Sequence, residues 1–236
     1  MTNAPAWLNP APFDVAAFFA LPAAAENAAP LYLDAFFEFD PIVEKCFPPT
    51  ERARAATAKA RATRINALLA DLARDPKSIN PAEADALLAE LAEGFRKLDL
   101  AQRRPRCVFA PGISIDAPLP HAQAARHVVR LLQMQADRAL GQNNIDGAIG
   151  NLARVLRLSR DLRPRGHVIC QLVSVATDRI GCTVMIPHCL AHPRLQASHC
   201  DQLLAMLRTH EMEALDPFIE GVKADYILQR VVIRTF

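Results

Sequence analysis

The chain has 236 residues, about half of them apolar, and contains only eight glycines. This length and apolar content are enough for one large domain, or two small ones, with a sizeable core. Such a chain does not need disulfides for stability, and so few glycines disfavour a backbone-lined phosphate cradle.

The net charge of +2 conceals a strong asymmetry along the chain. Residues 1–47 contain six acidic residues and one basic residue, whereas residues 103–165 contain eleven arginines, no lysine and four aspartates. A basic middle can bind an acidic partner or a phosphate backbone. Charge blocks more often face solvent or pair within the chain, so pairing with the acidic N-terminal segment is the preferred interpretation.

The N-terminal segment, residues 1–47, is acidic, interrupted by prolines and rich in aromatic residues. Two short helices are predicted in it, near residues 12–20 and 27–39. Seven of the eleven phenylalanines lie here: Phe13, Phe18, Phe19, Phe36, Phe37, Phe39 and Phe47. We expect them in the core, and the alternative is that part of the segment is a strap that covers a groove.

Residues 48–236 are predicted to form a helical stack, one domain together with the N-terminal segment. Alanine and leucine dominate, and no alternating β-type pattern occurs. Helices at about 51–74 and 81–99 should form an antiparallel hairpin, and a long loop follows at 103–120. Further helices are expected at about 121–141, 145–162, 166–187, 199–214 and 217–233. Their predicted caps include Asn80 and Ser198, with Asp-Pro openings at residues 40 and 216.

The predicted fold class is all-α. We expect stacked antiparallel helical hairpins, as an irregular repeat-like solenoid or bundle of about eight or nine helices. The helix at 166–187 is apolar on nearly every side, which is typical of a central, buried helix.

Residues 136–162, ADRALGQNNIDGAIGNLARVLRLSRDL, resemble the turn and second helix of a tetratricopeptide hairpin. In that family a glycine closes the first helix, and a small residue precedes bulky apolar ones in the second. Gly141, Ala148, Leu152 and Val155 correspond to these positions. Together with ENAAPLYLDAFFEF at residues 26–39, the hairpin is also similar to uncharacterised bacterial helical proteins. The resemblance implies a divergent helical repeat and no activity.

The stretch MIPHCLAHPRLQASHC, residues 185–200, holds three histidines and two cysteines. His188 and His192 are four residues apart, and His199 with Cys200 could complete a tetrahedral zinc site. Pro193 disfavours the helical conformation at His192, however, and no pair has the spacing of a structural zinc motif. Cys200 in the first turn of a helix could instead be a reactive thiol. The preferred interpretation is a turn between helices, with no metal and no cofactor.

No nucleophile elbow, dinucleotide fingerprint or catalytic trio occurs in the sequence, which favours a non-catalytic protein over an enzyme. The longest apolar stretch, Val168–Ile186, is interrupted by Asp178 and Arg179, so we expect no membrane partner. A chain of this size does not need its six cysteines as disulfides, and the apolar residues 15–25 have no basic segment before them as a secretory signal would, so we expect a reducing cytoplasm.

The first hypothesis is therefore a helical scaffold that binds another protein, with Arg103, Arg104 and Arg106 as candidate binding residues because guanidinium groups suit carboxylates and phosphates. The alternative is a metal or thiol site centred on residues 182–200. Nucleic-acid binding through the arginine-rich middle ranks last, because one Trp and two Tyr offer little base stacking.

Overall fold

The computed structural model describes residues 11–39, 63–68, 70–71, 80–109 and 119–235. Within these ranges the regular elements are helices, and the β-type pairing is one isolated bridge between Asn27 and Arg106. The predicted all-α fold class is confirmed. The helices are α1 (Val15–Phe19), α2 (Ala29–Phe39), α3 (Pro81–Glu90), α4 (Ala92–Gln102), α5 (Pro120–Gly141), α6 (Ile145–Leu162), α7 (Val168–Ile180), α8 (Ile186–Leu190), α9 (Ala197–Glu213) and α10 (Pro217–Thr235). A π-helical segment, Gly181–Met185, joins α7 to α8.

Helix α6 is the centre of the fold, because it packs against α4, α5, α7, α8 and α9. Its apolar residues recur at helical spacing and fill the core from several sides. Leu152, Val155 and Leu158 are completely buried. A buried polar seam joins α6 to α7, in which the Ser159 hydroxyl donates to the Ser174 carbonyl oxygen over 3.0 Å.

The N-terminal segment contributes both core and surface. Helix α2 packs against α4 and α5, and its Phe36, Phe37 and Phe39 are buried, as expected for core residues. Helix α1 has no buried residue and lies on the surface. There the Phe13 ring lies 5.4 Å from Phe18, between ring centroids, and 6.2 Å from Tyr226 of α10. Phe47 lies outside the described residues.

Two predicted helix starts are confirmed and a third is wrong. The Asn80 side chain accepts a hydrogen bond from the Ala82 amide, and Asp216 accepts one from the Phe218 amide over 2.8 Å. Ser198 is not the cap of α9. The helix begins two residues earlier than predicted, and Gln196 caps it in a reciprocal arrangement with the His199 side chain. The cap prediction failed because a histidine ring takes the place of the usual acidic partner.

The turn between α5 and α6 differs from the expected glycine-closed form. Asn143 adopts the left-handed conformation, with φ 59°, and Gly141 does not. A Cβ atom on Gly141 would meet nothing within 4 Å, so this position does not require glycine. Asparagine tolerates the left-handed region, which lets the turn close two residues later. Ala148, by contrast, is completely buried, as a tightly packed small residue should be.

The helix predicted at 166–187 is not the buried centre of the protein. Helix α7 packs against α5, α6 and α10, but Ile169, Leu172 and Val175 are about half exposed or more. A uniformly apolar helix does not reveal from its sequence which of its faces another helix covers, and the central position belongs to α6.

Parts of the predicted hairpin at 51–99 lie outside the described residues, as do the Asp-Pro opening at residue 40 and most of the loop at 103–120. In the described part, residues 63–68 are helical, Ile65 is buried and Arg64 pairs with Glu90 of α3. The helix predicted at 81–99 is two helices, because Leu91, with φ −88° and ψ 1°, interrupts the α-helical conformation.

Candidate functional site

A cleft of about 980 Å³ opens between the α1 region, the segment after α4 and the facing ends of α6, α9 and α10. We call it the arginine cleft, because four arginines line it together with three acidic residues and several apolar ones. Its lining residues are Phe18, Ala20, Leu21, Pro22, Pro105, Arg106, Cys107, Val108, Arg157, Arg160, Asp161, Pro164, Arg165, Glu213, Leu215 and Glu220.

Asn27 fixes one wall of the cleft. Its side-chain amide donates to the Val108 carbonyl oxygen over 3.0 Å, and its side-chain oxygen accepts from the Val108 amide over 2.9 Å. The Ala28 amide also donates to the Arg106 carbonyl oxygen over 2.8 Å. These bonds attach the chain after α4 to the start of α2, so the segment is held without belonging to a sheet.

The floor of the cleft is a buried polar network of three side chains. The Tyr32 hydroxyl donates to the Asp161 carboxylate over 2.6 Å, and the Arg157 Nε donates to the same oxygen over 2.9 Å. Burial, together with the Asp161 charge, raises the pKa of Tyr32 well above its usual value. Burial also raises the pKa of Asp161, although Arg157 and Tyr32 oppose this shift. The network is structural, because each polar group already has a partner.

The Cys107 thiol lies beside this network and is buried. Its burial, reinforced by the nearby Asp161 carboxylate, raises the thiol pKa well above the usual value. A thiol held in the neutral form is a poor nucleophile, so the cleft does not present an activated cysteine.

Two further arginines project from the end of α6 and the turn that follows it. Arg160 Nη1 lies 2.9 Å from a Glu213 oxygen, yet burial lowers the pKa of Arg160. Arg165 has a left-handed backbone, with φ 59°, and its amide donates to the Glu220 carboxylate over 2.7 Å. The Arg165 Nη1 atom is buried and has no hydrogen-bond partner among the described residues.

The three arginines predicted as binding residues have different positions. Arg106 lines the cleft and lies 3.7 Å from Glu26, measured between charged atoms. The Arg104 guanidinium donates to the Ala25 carbonyl oxygen, and its own carbonyl oxygen accepts from Arg157 over 2.7 Å. Arg103 is exposed at the end of α4 and does not line the cleft.

Sequence reasoning missed Arg157, Arg160 and Arg165, which form most of the positive charge of the cleft. Their spacing of three and five residues in an arginine-only region was a usable signal for two of them, because residues three apart share a helix face. No sequence signal indicated that the α1 region and α10 would close over that face.

The stretch at 185–200 does not bring its histidines together. His188 Nδ1 lies 2.9 Å from Asp137, whereas His192 Nε2 lies 3.2 Å from the Leu140 carbonyl oxygen. His199 Nδ1 accepts from the Gln196 amide at the start of α9. In the described ranges, no three His, Cys, Asp or Glu side chains converge on a point that could hold a metal ion.

Two cysteines of this region have raised thiol pKa values. Desolvation and the nearby Asp178 raise the pKa of Cys182, which is exposed, and desolvation and the nearby Asp137 raise the pKa of Cys189, which is buried. The five described cysteines, at 107, 170, 182, 189 and 200, are free thiols. Cys46 lies outside the described residues.

A second surface feature is an apolar groove of about 470 Å³ between α7 and α10. Phe218 is 76% exposed, Leu172 is 64% exposed and Val222 is 51% exposed. The groove is lined by Val168, Gln171, Leu172, Val175, Pro217, Phe218, Gly221, Val222, Asp225, Tyr226 and Gln229. Exposed apolar side chains that adjoin one another are typical of interaction surfaces.

Among the described residues, one helix has the length and apolar composition of a membrane span. It is the long helix formed by α7, the π-helical segment and α8. The buried side chains of this helix include polar ones, namely Gln171, Ser174 and Thr177. Asp178 pairs with Arg163 of the turn after α6, and lies 3.1 Å from His210 of α9.

Comparison of the chain with models of protein families, with curated proteins and with solved structures finds no match.

Proposed function

We propose that this chain is a non-catalytic helical scaffold that binds another protein through the apolar groove between α7 and α10. The observation that carries the proposal is the exposure of large apolar side chains from both helices in one groove. We further propose that it acts in a reducing cytoplasm, in keeping with its free thiols, and that its α5–α6 hairpin is related to tetratricopeptide hairpins, in keeping with the buried small residue Ala148.

The groove has the shape that an amphipathic helix needs. Leu172 and Val175 are three residues apart on α7, and Phe218 and Val222 are four apart on α10, so each pair lies on one helix face. The two helices cross closely at Gly221, where a Cβ atom would lie 3.0 Å from Gln171 Cγ. A helix laid in such a groove places its own apolar residues between the two rows.

The charge of the groove favours a protein over a membrane surface. Among its lining residues the charged one is Asp225, and neither Lys nor Arg lines it. Interfacial membrane binding normally combines an apolar face with lysines or arginines that meet anionic lipids. The proposed occupant is therefore an amphipathic helix that lays its apolar face in the groove.

The two alternatives gain less support. The arginines of the middle region form ion pairs with acidic residues, such as Arg154 with Asp99 at 2.7 Å and Arg157 with Asp161 at 2.9 Å, which reduces the charge available to a phosphate backbone. The metal alternative needs the three histidines of residues 185–200 in one site, and each of them already has a separate contact.

The experiment places a photo-crosslinking amino acid at Leu172 or Phe218 in the native cell, with Leu204 as the control. Leu204 is 51% exposed but lies on α9, outside the groove. We expect one protein to be crosslinked from both groove positions and not from Leu204. That protein, once purified, should bind the wild-type chain and the Leu204→Asp variant, and should lose affinity for Leu172→Asp.

Three results would contradict the proposal. Crosslinks only to a second copy of the chain would make the groove a self-association surface. Binding to vesicles of anionic lipid that Leu172→Asp abolishes would make it a membrane surface. Equal affinity of the purified partner for Leu172→Asp and Leu204→Asp would locate protein binding elsewhere.

A further inference from the structure

We propose that the arginine cleft binds an organic monocarboxylate, meaning one carboxylate group carried by an apolar body. This site is separate from the protein-binding groove proposed above. The cleft and the groove between α7 and α10 have no lining residue in common, so the two proposals are independent. Its ligand could be a small carboxylic acid or the C-terminus of a peptide, because both present the same chemistry.

The charge count of the cleft favours a single negative charge. Four arginines and three acidic residues line it, which leaves one positive charge in excess. One carboxylate would neutralise the cleft, whereas a phosphate monoester with nearly two negative charges would make it negative.

Arg165 supplies the excess charge and an unused donor. Its Nη1 atom is buried and has no hydrogen-bond partner among the described residues, which is a costly arrangement for a charged group. The backbone of Arg165 is held in place by the bond from its amide to Glu220. A carboxylate beside Arg165 would satisfy the donor, and guanidinium groups bind carboxylates in a fixed planar geometry.

Arg160 adds a second group whose charge is incompletely balanced. It pairs with Glu213, but that glutamate is about half exposed and therefore screened by water. Burial lowers the pKa of Arg160 in spite of this partner. The ligand carboxylate, placed near Arg160 as well, would add to Glu213 and offset the cost of burying the Arg160 charge.

The cleft also provides space and apolar surface for the body of the ligand. A volume of about 980 Å³ is far larger than a carboxylate group needs. Leu21 and Leu215 line the cleft and are 54% and 45% exposed, so they have apolar surface available for contact. Phe18, from the same α1 region as Leu21, also lines the cleft.

The test measures binding of octanoate to the whole chain by titration calorimetry at low salt and at about pH 8, where a phosphate monoester carries nearly two charges. Octanol keeps the body and removes the charge, and octyl phosphate doubles the charge. We expect saturable binding of one octanoate, with octanol and octyl phosphate bound more weakly. An apolar pentapeptide with a free C-terminus, compared with its amide, distinguishes the two sources of the carboxylate.

Matched variants connect binding to the cleft. Arg165→Gln should weaken octanoate binding by roughly tenfold to a hundredfold, the range expected for losing a hydrogen bond to a charged group. Arg208→Gln, which changes an exposed arginine of α9 outside the cleft, should bind as the wild type does. If Arg165→Gln does not fold, Leu21→Glu and Leu21→Gln replace it, because position 21 is exposed. The charged variant should lose binding, and the neutral one should keep most of it.

Several results would overturn the proposal. One is the absence of octanoate binding at concentrations up to about 1 mM, which corresponds to a very weak site. Equal binding of octanol and octanoate, or tighter binding of octyl phosphate than of octanoate, would also contradict it. Equal losses in Arg165→Gln and Arg208→Gln, or in Leu21→Glu and Leu21→Gln, would show that octanoate binds elsewhere.

Discussion

The buried imidazole of His121 should make the protein less stable in mild acid. The ring lies flat against Phe109, with 4.3 Å between ring centroids, and its Nε2 atom is 3.3 Å from Cys170 Sγ. Burial, with a smaller contribution from nearby His167, lowers the pKa of His121 from 6.5 to about 4. The folded protein therefore keeps this ring neutral at pH values where the unfolded chain protonates it.

The sign and size of the effect follow from proton uptake. Between pH 6.5 and 4 the unfolded state binds more protons at His121 than the folded state, so the free energy of unfolding falls as the pH falls. A pKa of about 4 corresponds to a total loss of about 3 kcal/mol, at 1.36 kcal/mol per pKa unit. About 2 kcal/mol of this should be lost between pH 7 and pH 5.

The assay is urea denaturation of the wild type and of His121→Gln at a series of pH values from 7 to 4. Glutamine does not titrate, so His121→Gln should lack the part of the acid-dependent loss that His121 causes. The unfolding free energy of the wild type should therefore fall by about 2 kcal/mol more than that of His121→Gln between pH 7 and pH 5. His188→Gln is the matched control, since the His188 side chain is about half exposed, and it should retain the acid-dependent loss. Parallel pH profiles for the wild type and His121→Gln would refute the reasoning, because another group would then carry the loss.

Three further changes test the packing around the cleft and the core, each by urea denaturation. Tyr32→Phe should destabilise the fold by about 1.5–3 kcal/mol, because it removes the buried hydrogen bond to Asp161 and this is the usual value of a hydrogen bond to a charged group. No measurable change would mean that the bond is not formed. Gly94→Ala should also destabilise, since its Cβ atom would lie 2.7 Å from Phe39 Cζ, and an unchanged midpoint would contradict this close contact. Gly150→Ala should stabilise by roughly 0.5–1 kcal/mol, because this helical position has nothing within 4 Å and alanine has the higher helix propensity; a loss of stability there would show hidden crowding.

The helices of this protein can be predicted from short stretches of sequence. The predicted bounds of helix α6 agree with the observed ones, because its apolar residues recur at helical spacing after a recognisable turn. Asn80 and Asp216 could be identified as caps, since a side-chain oxygen bonds to an amide only two residues away. Such signals involve neighbours in the chain, and they need no knowledge of the rest of the fold.

The sites depended on contacts between distant parts of the chain. Tyr32 and Asp161, which meet in the floor of the arginine cleft, are separated by 129 residues, and no local pattern relates them. The same holds for the uncovered face of α7, since the sequence shows an apolar helix but not which neighbours pack against it. Composition and periodicity thus determined the all-α class, whereas tertiary packing decided which arginines share a cleft and which apolar residues remain exposed. The physical reason is that burial is a property of the whole assembly of helices and is not encoded within any one of them.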